Sequence, residues 1–586
     1  MKGFLKMTLA SIVGFIIASG IFTLFMFALF ASAFSGEQTV RIKKNTILKI
    51  TLSTPVVDFA HNSIDPITFS VNQQTSLYRT LKAVENAIYD PNIKGMYMDL
   101  SQYSINMASA EEIREAMEAF KKSGKFIICY ADNYSQGAYY FATVADKIYL
   151  NPYGSAMLSG MSSQVMFYKN MLDKLGIEMQ VIRHGKFKSA VEPFMVDKMS
   201  PENREQITAY MGSIWNFLME EISKSRNISV EELNRLADQL TLNTAESALQ
   251  HGLVDGIMYK DEVIAELCEK MGVDSEKKLN IVNFSDYVKL KKKESDQKNK
   301  KDKVAVVYAS GDIVMGESTG NVSSEYISKA IRRVREDETI KAVVFRVNSP
   351  GGDAQASEII ARELELTAKE KPVIVSMGSL AASGGYWIST PGSVILANHT
   401  TLTGSIGVFG MAPNVQKGMN DFTGLTVEAV NTNEHSDAGS IFRPLSQYEK
   451  DFLQAQVEDI YDKFITKVAD SRHMTKGAID SIGQGRVWSG VNAHENGLID
   501  AFGGLNTAIT VAAERANITE YHVVERPMPK GSPMELFMSF MDAKIFGADQ
   551  PVSNDLKRTF SKYEHIIDAI TRPGVKARME YDIELQ

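Results

Sequence analysis

Cysteine is almost absent: Cys129 and Cys268 are the only two in 586 residues. That is too few for a disulfide framework or a thiolate-built zinc site. No HExxH or CxxC spacing occurs, and the nine histidines are scattered, so neither a metal nor another cofactor is expected. Proline is sparse at 16 residues, which argues against a disordered or collagen-like chain. An excess of positive charge is lacking too. With 63 basic against 71 acidic residues the net charge is −8, and nothing in that balance points to nucleic acid. What is present is an ordinary globular composition, 44% hydrophobic and 23% charged. At roughly 100–200 residues per domain, the length allows about three to five folding units.

Long apolar runs are also lacking, with one exception. Lys2 and Lys6 precede an uncharged stretch over residues 7–34, which Glu37 ends. Spanning a bilayer takes about 20 such residues, whereas a secretory signal has an apolar region of about 7–15. The run predicts a single-pass anchor over residues 1–36. Its positive flank keeps the N-terminus cytoplasmic and places the rest of the chain on the far side of the membrane. Ala31-Ser32-Ala33 also has the small-residue pattern of a cleavage site, so removal of the segment stays open.

The chain contains itself twice. A shift of 247 residues lays Asp90-Pro-Asn-Ile-Lys-Gly-Met on Asp337-Glu-Thr-Ile-Lys-Ala-Val, and Gly137-Ala-Tyr-Tyr on Gly384-Gly-Tyr-Trp. Further on, a shift of 245 lays Gly252-Leu-Val-Asp255 on Gly497-Leu-Ile-Asp500. One register held across so many segments implies two homologous domains, 47–284 and 304–526. The charged stretch 285–303 between them reads as a solvated linker. Residues 527–586 form a C-terminal extension without a counterpart. Apolar β-rich runs (Val304–Tyr308, Ala342–Val347, Pro372–Ser376) alternate with helical periodicity over Ser323–Glu336 and Ala354–Glu370. That order predicts α/β domains with parallel strands and right-handed crossovers.

Homologous copies share what the fold needs, so their differences point to chemistry. After Val347 the second copy has Asn348-Ser-Pro-Gly351-Gly352-Asp353, where the first has Gln102-Tyr-Ser-Ile105. Glycines after a strand let backbone N–H groups approach a ligand closely, as an oxyanion hole requires; a plain Pro-Gly turn fits the same residues. The second copy also has Ala381-Ala-Ser383-Gly384-Gly-Tyr-Trp387, with Gln136 at the serine position in the first. A serine between a strand and a helix N-terminus suits a nucleophile, and suits an ordinary N-cap equally. The pattern is not GxSxG, which removes the α/β-hydrolase elbow. The third difference runs the other way: Lys188, in Gly185-Lys-Phe-Lys188-Ser-Ala-Val-Glu-Pro-Phe194, falls on His435. If each copy kept one half of a pair, Ser383 and Lys188 must meet between a first and a second copy. In that reading neutral Lys188 takes the proton of Ser383, which attacks a peptide carbonyl. Gly351 and Gly352 then serve the oxyanion, and Lys188 protonates the leaving amine.

Lys188-Ser-Ala-Val-Glu-Pro-Phe, Ala-Ser383-Gly-Gly-Tyr-Trp, Thr403-Gly-Ser405-Ile-Gly and Ser349-Pro-Gly-Gly resemble the signal peptide peptidase A (protease IV) family in its long, duplicated form. The resemblance covers nearly the whole chain. It implies two tandem domains of the Clp-protease/crotonase α/β superfamily behind a single transmembrane helix. It implies a membrane-bound serine endopeptidase of the bacterial inner membrane, facing the periplasm and degrading released signal peptides. Ser383 would be the nucleophile and Lys188 the general base. Gly384 would join Gly351 and Gly352 in the oxyanion hole, with Ser405 supporting the lysine or serving as a turn residue. The expected partners are peptides, the bilayer through residues 7–34, and further copies of the chain in a tetrameric ring, with no nucleic acid.

Three other readings compete. A triad of Ser383, His435 and Asp437 within one copy leaves the first copy's Lys188 motif unexplained. Crotonase-like acyl-CoA chemistry shares the oxyanion hole, but coenzyme A substrates are cytoplasmic. A non-catalytic ring scaffold would need neither Ser383, Lys188 nor the glycine pair.

Overall fold

The computed structural model describes residues 42–290 (except 61–62, 65–70 and 73), 301–527 (except 319) and 574–578, with isolated helical positions between 3 and 21. Most of the expected anchor and most of the C-terminal extension lie outside the described residues. Among those described, no helix is long and apolar enough to cross a membrane.

Each repeat is built on a parallel sheet. In the first, the strand order is Gly256–Ile257, Lys147–Leu150, Phe126–Ala131, Ile93–Tyr103, Thr46–Leu52 and Asn280–Asn283. The second repeats the central part with Val373–Ala382, Ile340–Ser349, Lys303–Ser310 and His522–Arg526 in successive contact. Val394–Ala397 and Leu402–Gly404 both pair with Val373–Ala382. The central strands are apolar almost throughout, for example Val304 to Val307 and Ala342 to Phe345. A sheet covered by helices on both faces requires such runs in place of alternation. The covering helices match between copies: Leu77–Tyr89 with Ser324–Glu336, Met107–Lys122 with Ala354–Ala368, and Pro201–Arg226 with Gln447–Arg472. Their caps match as well. Ser200 and Ser446 each accept a backbone N–H at the start of the long helices, and left-handed Asn227 and His473 end them, as capping chemistry favours.

Two local expectations change. The strand read as Pro372–Ser376 runs from Val373 to Ala382, because its far end gains Leu402–Gly404 as a neighbour after Val394–Ala397 stops. It therefore delivers its last residue directly to Ser383. The register of Lys188 on His435 also shifts. Gly176 and Gly424 are both left-handed, with φ near 66° and 68°, and matching them inserts one residue into the second copy. That residue is absorbed in a π-helical turn, Met419–Thr423, the usual accommodation of a single insertion in a helix. Lys188 then falls on Ser436, beside His435.

The two repeats are locked by buried charge. Arg346 of the second donates through Nε to Asp58 at 2.8 Å and through Nη2 to Glu112 at 2.7 Å, both in the first. Glu112 also accepts from Asn398 Nδ2 at 2.9 Å and from the Leu505 N–H at 2.7 Å. All three charged residues are buried.

Candidate active site

The first repeat reaches the second through one strand. Glu178–His184 pairs antiparallel with Val408–Asn414 of the second repeat, from Glu178 opposite Asn414 to His184 opposite Val408. Phe409 and Met411 close an apolar cluster with Met179 and Val181 across that seam. The chain then turns at Gly185, which is left-handed and sits so close to the Gln484 carbonyl that no Cβ would fit. Left-handed Gly485 lies equally close under Lys188. Further bonds pin the loop: the Phe187 N–H donates to Gln484 O at 3.0 Å. Gln206 Nε2 donates to Phe187 O at 3.1 Å and to Ser189 Oγ at 2.9 Å. Buried Glu192, in the same motif, accepts from Ser200 and Asn203. The loop's conformation is thus set by backbone contacts to 484–485 and by a buried polar network, and it fixes where Lys188 points.

Lys188 is 1% exposed. Its Nζ lies 2.9 Å from Ser383 Oγ, 3.0 Å from Ser405 Oγ and 3.1 Å from the Ser405 carbonyl. The two residues singled out by complementary loss therefore meet within one chain, at the junction of its repeats. Ser405 touches the lysine directly.

Ser383 is fully buried and has φ 56° and ψ −117°, a region that costs a non-glycine residue of order 1–3 kcal/mol. Its N–H donates to the Gly404 carbonyl at 2.8 Å. The N-cap alternative fails on geometry, because the Ser383 side chain makes no bond to the helix Gly384–Trp387. The first repeat behaves oppositely: Ser135, one residue before the counterpart Gln136, caps Gln136–Ala142 in the ordinary way, and Gln136 reaches across to Gly160 O. The strained turn in the second copy is what frees the hydroxyl to face the lysine.

The three candidate oxyanion residues flank Ser383. Gly384 begins the helix immediately after it. Gly351 and Gly352 form the short strand Gly351–Asp353, with φ 100° and 154°, and a Cβ on Gly352 would collide with the Ile313 carbonyl. Gly385 also packs closely against the Ser349 carbonyl, which brings the two glycine pairs side by side. The Gly351 N–H donates to Ser349 Oγ at 3.2 Å. One further strand runs here: Gly574–Arg578 lies antiparallel between Gly351–Asp353 and Val408–Asn414. No sequence pattern marked it.

The rival triad does not assemble. His435 stacks on Tyr448 at 4.6 Å. Hydrogen bonds from Arg443 hold Asp437 as a carboxylate, its pKa lowered to about 2. Sequence reasoning missed Asp58, Arg346, Glu112 and Gln206. Gly485 and Gly407, where an added Cβ would meet Lys188, are the sequence signal that could have marked its place.

The model of peptidase family S49 matches residues 119–274 and 365–519, one segment in each repeat. Protease 4 of Haemophilus influenzae is 38% identical over 76% of this chain and 74% of its own length. Protease 4 of Salmonella typhi is 39% identical over 77% and 74%. The chloroplastic serine protease SPPA of Arabidopsis thaliana is 32% identical over 92% and 78%. A solved ClpP1 mutant from Listeria monocytogenes aligns with 35% of this chain and 94% of its own at 13% identity, with a TM-score of 0.24. The family match and these relatives define a serine-type peptidase. The chain belongs to peptidase family S49.

Proposed function

We propose that the chain is a membrane-anchored endopeptidase with a Ser/Lys dyad, acting on released signal peptides and other apolar peptides at the outer face of a bacterial inner membrane. The observation that carries this reading is the buried 2.9 Å contact between Lys188 Nζ and Ser383 Oγ. A lysine is a base only in its neutral form, which burial away from water favours. Neutral Lys188 removes the Ser383 proton as Oγ attacks the scissile carbonyl. The Gly352 and Gly384 N–H groups stabilise the oxyanion. The protonated lysine then gives its proton to the leaving amine, and water repeats the sequence on the acyl-enzyme. Ser405 orients the amine through its hydroxyl and carbonyl. Residues 7–34 supply the anchor, and a tetrameric ring is the proposed assembly.

The test is hydrolysis of a fluorogenic apolar peptide by the full-length chain. Ser383→Ala is expected to abolish turnover and His435→Ala to leave it within a factor of about two, because a group outside the site adds nothing to transition-state binding. Loss of activity in His435→Ala alone would restore the one-copy triad.

The edges of Gly351–Asp353 and Val408–Asn414 already accept an extended backbone, that of Gly574–Arg578. A substrate bound as an added strand would compete for the same edges. Truncation after residue 573 is therefore expected to lower KM several-fold, roughly by the cost of displacing a five-residue strand, with kcat unchanged. An unchanged KM in steady-state kinetics would place the substrate elsewhere.

A further inference from the structure

The cleft beside Ser383 has a counterpart in the first repeat. The shift of 247 residues that aligns the copies lays Ser104-Ile105-Asn106 on Gly351-Gly352-Asp353, and Gln136-Gly137 on Ser383-Gly384. Helix caps hold that register: Asn106 accepts the Ser109 N–H at the start of Met107–Lys122, as Asp353 accepts the Ala356 N–H at the start of Ala354–Ala368. Strand pairing extends it. Val56–Val57 runs parallel to Thr75–Ser76 in the first copy, as Ile313–Val314 runs parallel to Val322–Ser323 in the second. Val56 is thus the equivalent of Ile313, which pairs with Gly352.

These positions line a cavity of about 610 Å³. Its walls include Val56, Ser104, Ile105 and Gly137, together with Leu402 of the second repeat. That volume is within the range of clefts that hold small ligands and peptide side chains, about 300–1,000 Å³. Tyr103 lines the cavity too, and its hydroxyl is buried without a hydrogen-bond partner among the described residues. A buried polar group left in that state calls for a partner.

Chain connectivity separates the two clefts. In the second repeat the last sheet strand, His522–Arg526, is followed by a tail, and Gly574–Arg578 of that tail pairs with Gly351–Asp353. The first repeat has no such tail: after Asn280–Asn283 and the helix Phe284–Lys289, residues 290–302 lead into Lys303–Ser310 of the other sheet. Among the described residues, Ser104–Asn106 pairs with no strand. The chemistry is gone from this copy, since Gln136 stands at the serine position, but the frame of the cleft is kept.

We propose that the first-repeat cleft is a second, non-catalytic site for an extended apolar peptide, which lies along Ser104–Asn106 as Gly574–Arg578 lies along Gly351–Asp353. Backbone pairing with an edge supplies affinity in such a mode, and the apolar walls select side chains. The proposal rests on the peptidase reading above for the chemistry of its occupant. Each chain then holds two peptide segments and cleaves one.

The test starts from the full-length chain labelled at Ser383 with a peptidyl fluorophosphonate, which fills the catalytic cleft covalently. In equilibrium dialysis against a fluorescent apolar peptide, the labelled chain is expected to bind one further equivalent; no binding would overturn the proposal. Ser104→Trp places a bulky ring in the cavity from an exposed position. It is expected to abolish that binding without changing the melting temperature, and undiminished binding would contradict the site. A benzophenone-bearing peptide, used on the chain without that substitution, should cross-link within residues 103–108 whether or not Ser383 is labelled. Cross-links confined to other segments would place the peptide elsewhere and overturn the proposal. A chain that resists labelling at Ser383 yet cross-links through residues 103–108 would overturn the dyad and keep this site. A labelled chain that binds no peptide would do the reverse.

Discussion

Lys188→Ala is expected to lower kcat/KM for an apolar peptide by about 10⁴-fold or more, as removal of one member of a catalytic pair does. The loss should fall on kcat, because the amine acts on the proton in flight and not on bound substrate. Lys188→Arg should be no better: a guanidinium stays protonated and cannot serve as a base. The melting temperature separates this from a folding defect. The loop around Lys188 is held by Gln206, Gln484 and Glu192, none of which depends on the amine. A variant that keeps both its melting temperature and a tenth of its activity would remove the lysine from the mechanism.

The second large effect is on stability. Arg346→Met should cost about 3–5 kcal/mol, because it leaves Asp58 and Glu112 buried and unpaired. Burial works against the Arg346 charge, yet the two carboxylates hold its guanidinium more firmly protonated than an ordinary arginine. The same guanidinium also donates to Ser376 Oγ at 2.8 Å, on the strand that ends at Ser383. The expected fall in melting temperature is on the order of 10 °C. Peptidase activity should be lost at lower temperature than in the parent chain, since the network joins the two repeats whose junction is the site. A change of under two degrees by calorimetry would show that the junction holds without this network.

The duplication explains how much was legible beforehand. Two copies of one fold mark each other's elements, so the parallel sheet and the helices Ser324–Glu336 and Ala354–Ala368 could be read from periodicity and register together. The same comparison isolated Ser383 and Lys188, because a position that departs from its own copy departs for a reason. What stayed hidden was set by tertiary contact. The far end of Val373–Ala382 is a strand only because Leu402–Gly404 lies beside it. Asp58 stands in a stretch without repeat signal, and its partner lies 288 residues away. A single extra residue in Met419–Thr423 displaced the apparent partner of Lys188 by one. Gly574–Arg578 joins a sheet whose other strands supply the pattern it lacks.

The central claim is that one site is built from a serine of one repeat and a lysine of the other. Labelling with a peptidyl fluorophosphonate, followed by mass spectrometric mapping, tests it most directly. The reagent should modify Ser383 in the parent chain and in His435→Ala, and fail to do so in Lys188→Ala although that variant is folded. Modification of another serine, or full labelling of Ser383 without Lys188, would contradict the account.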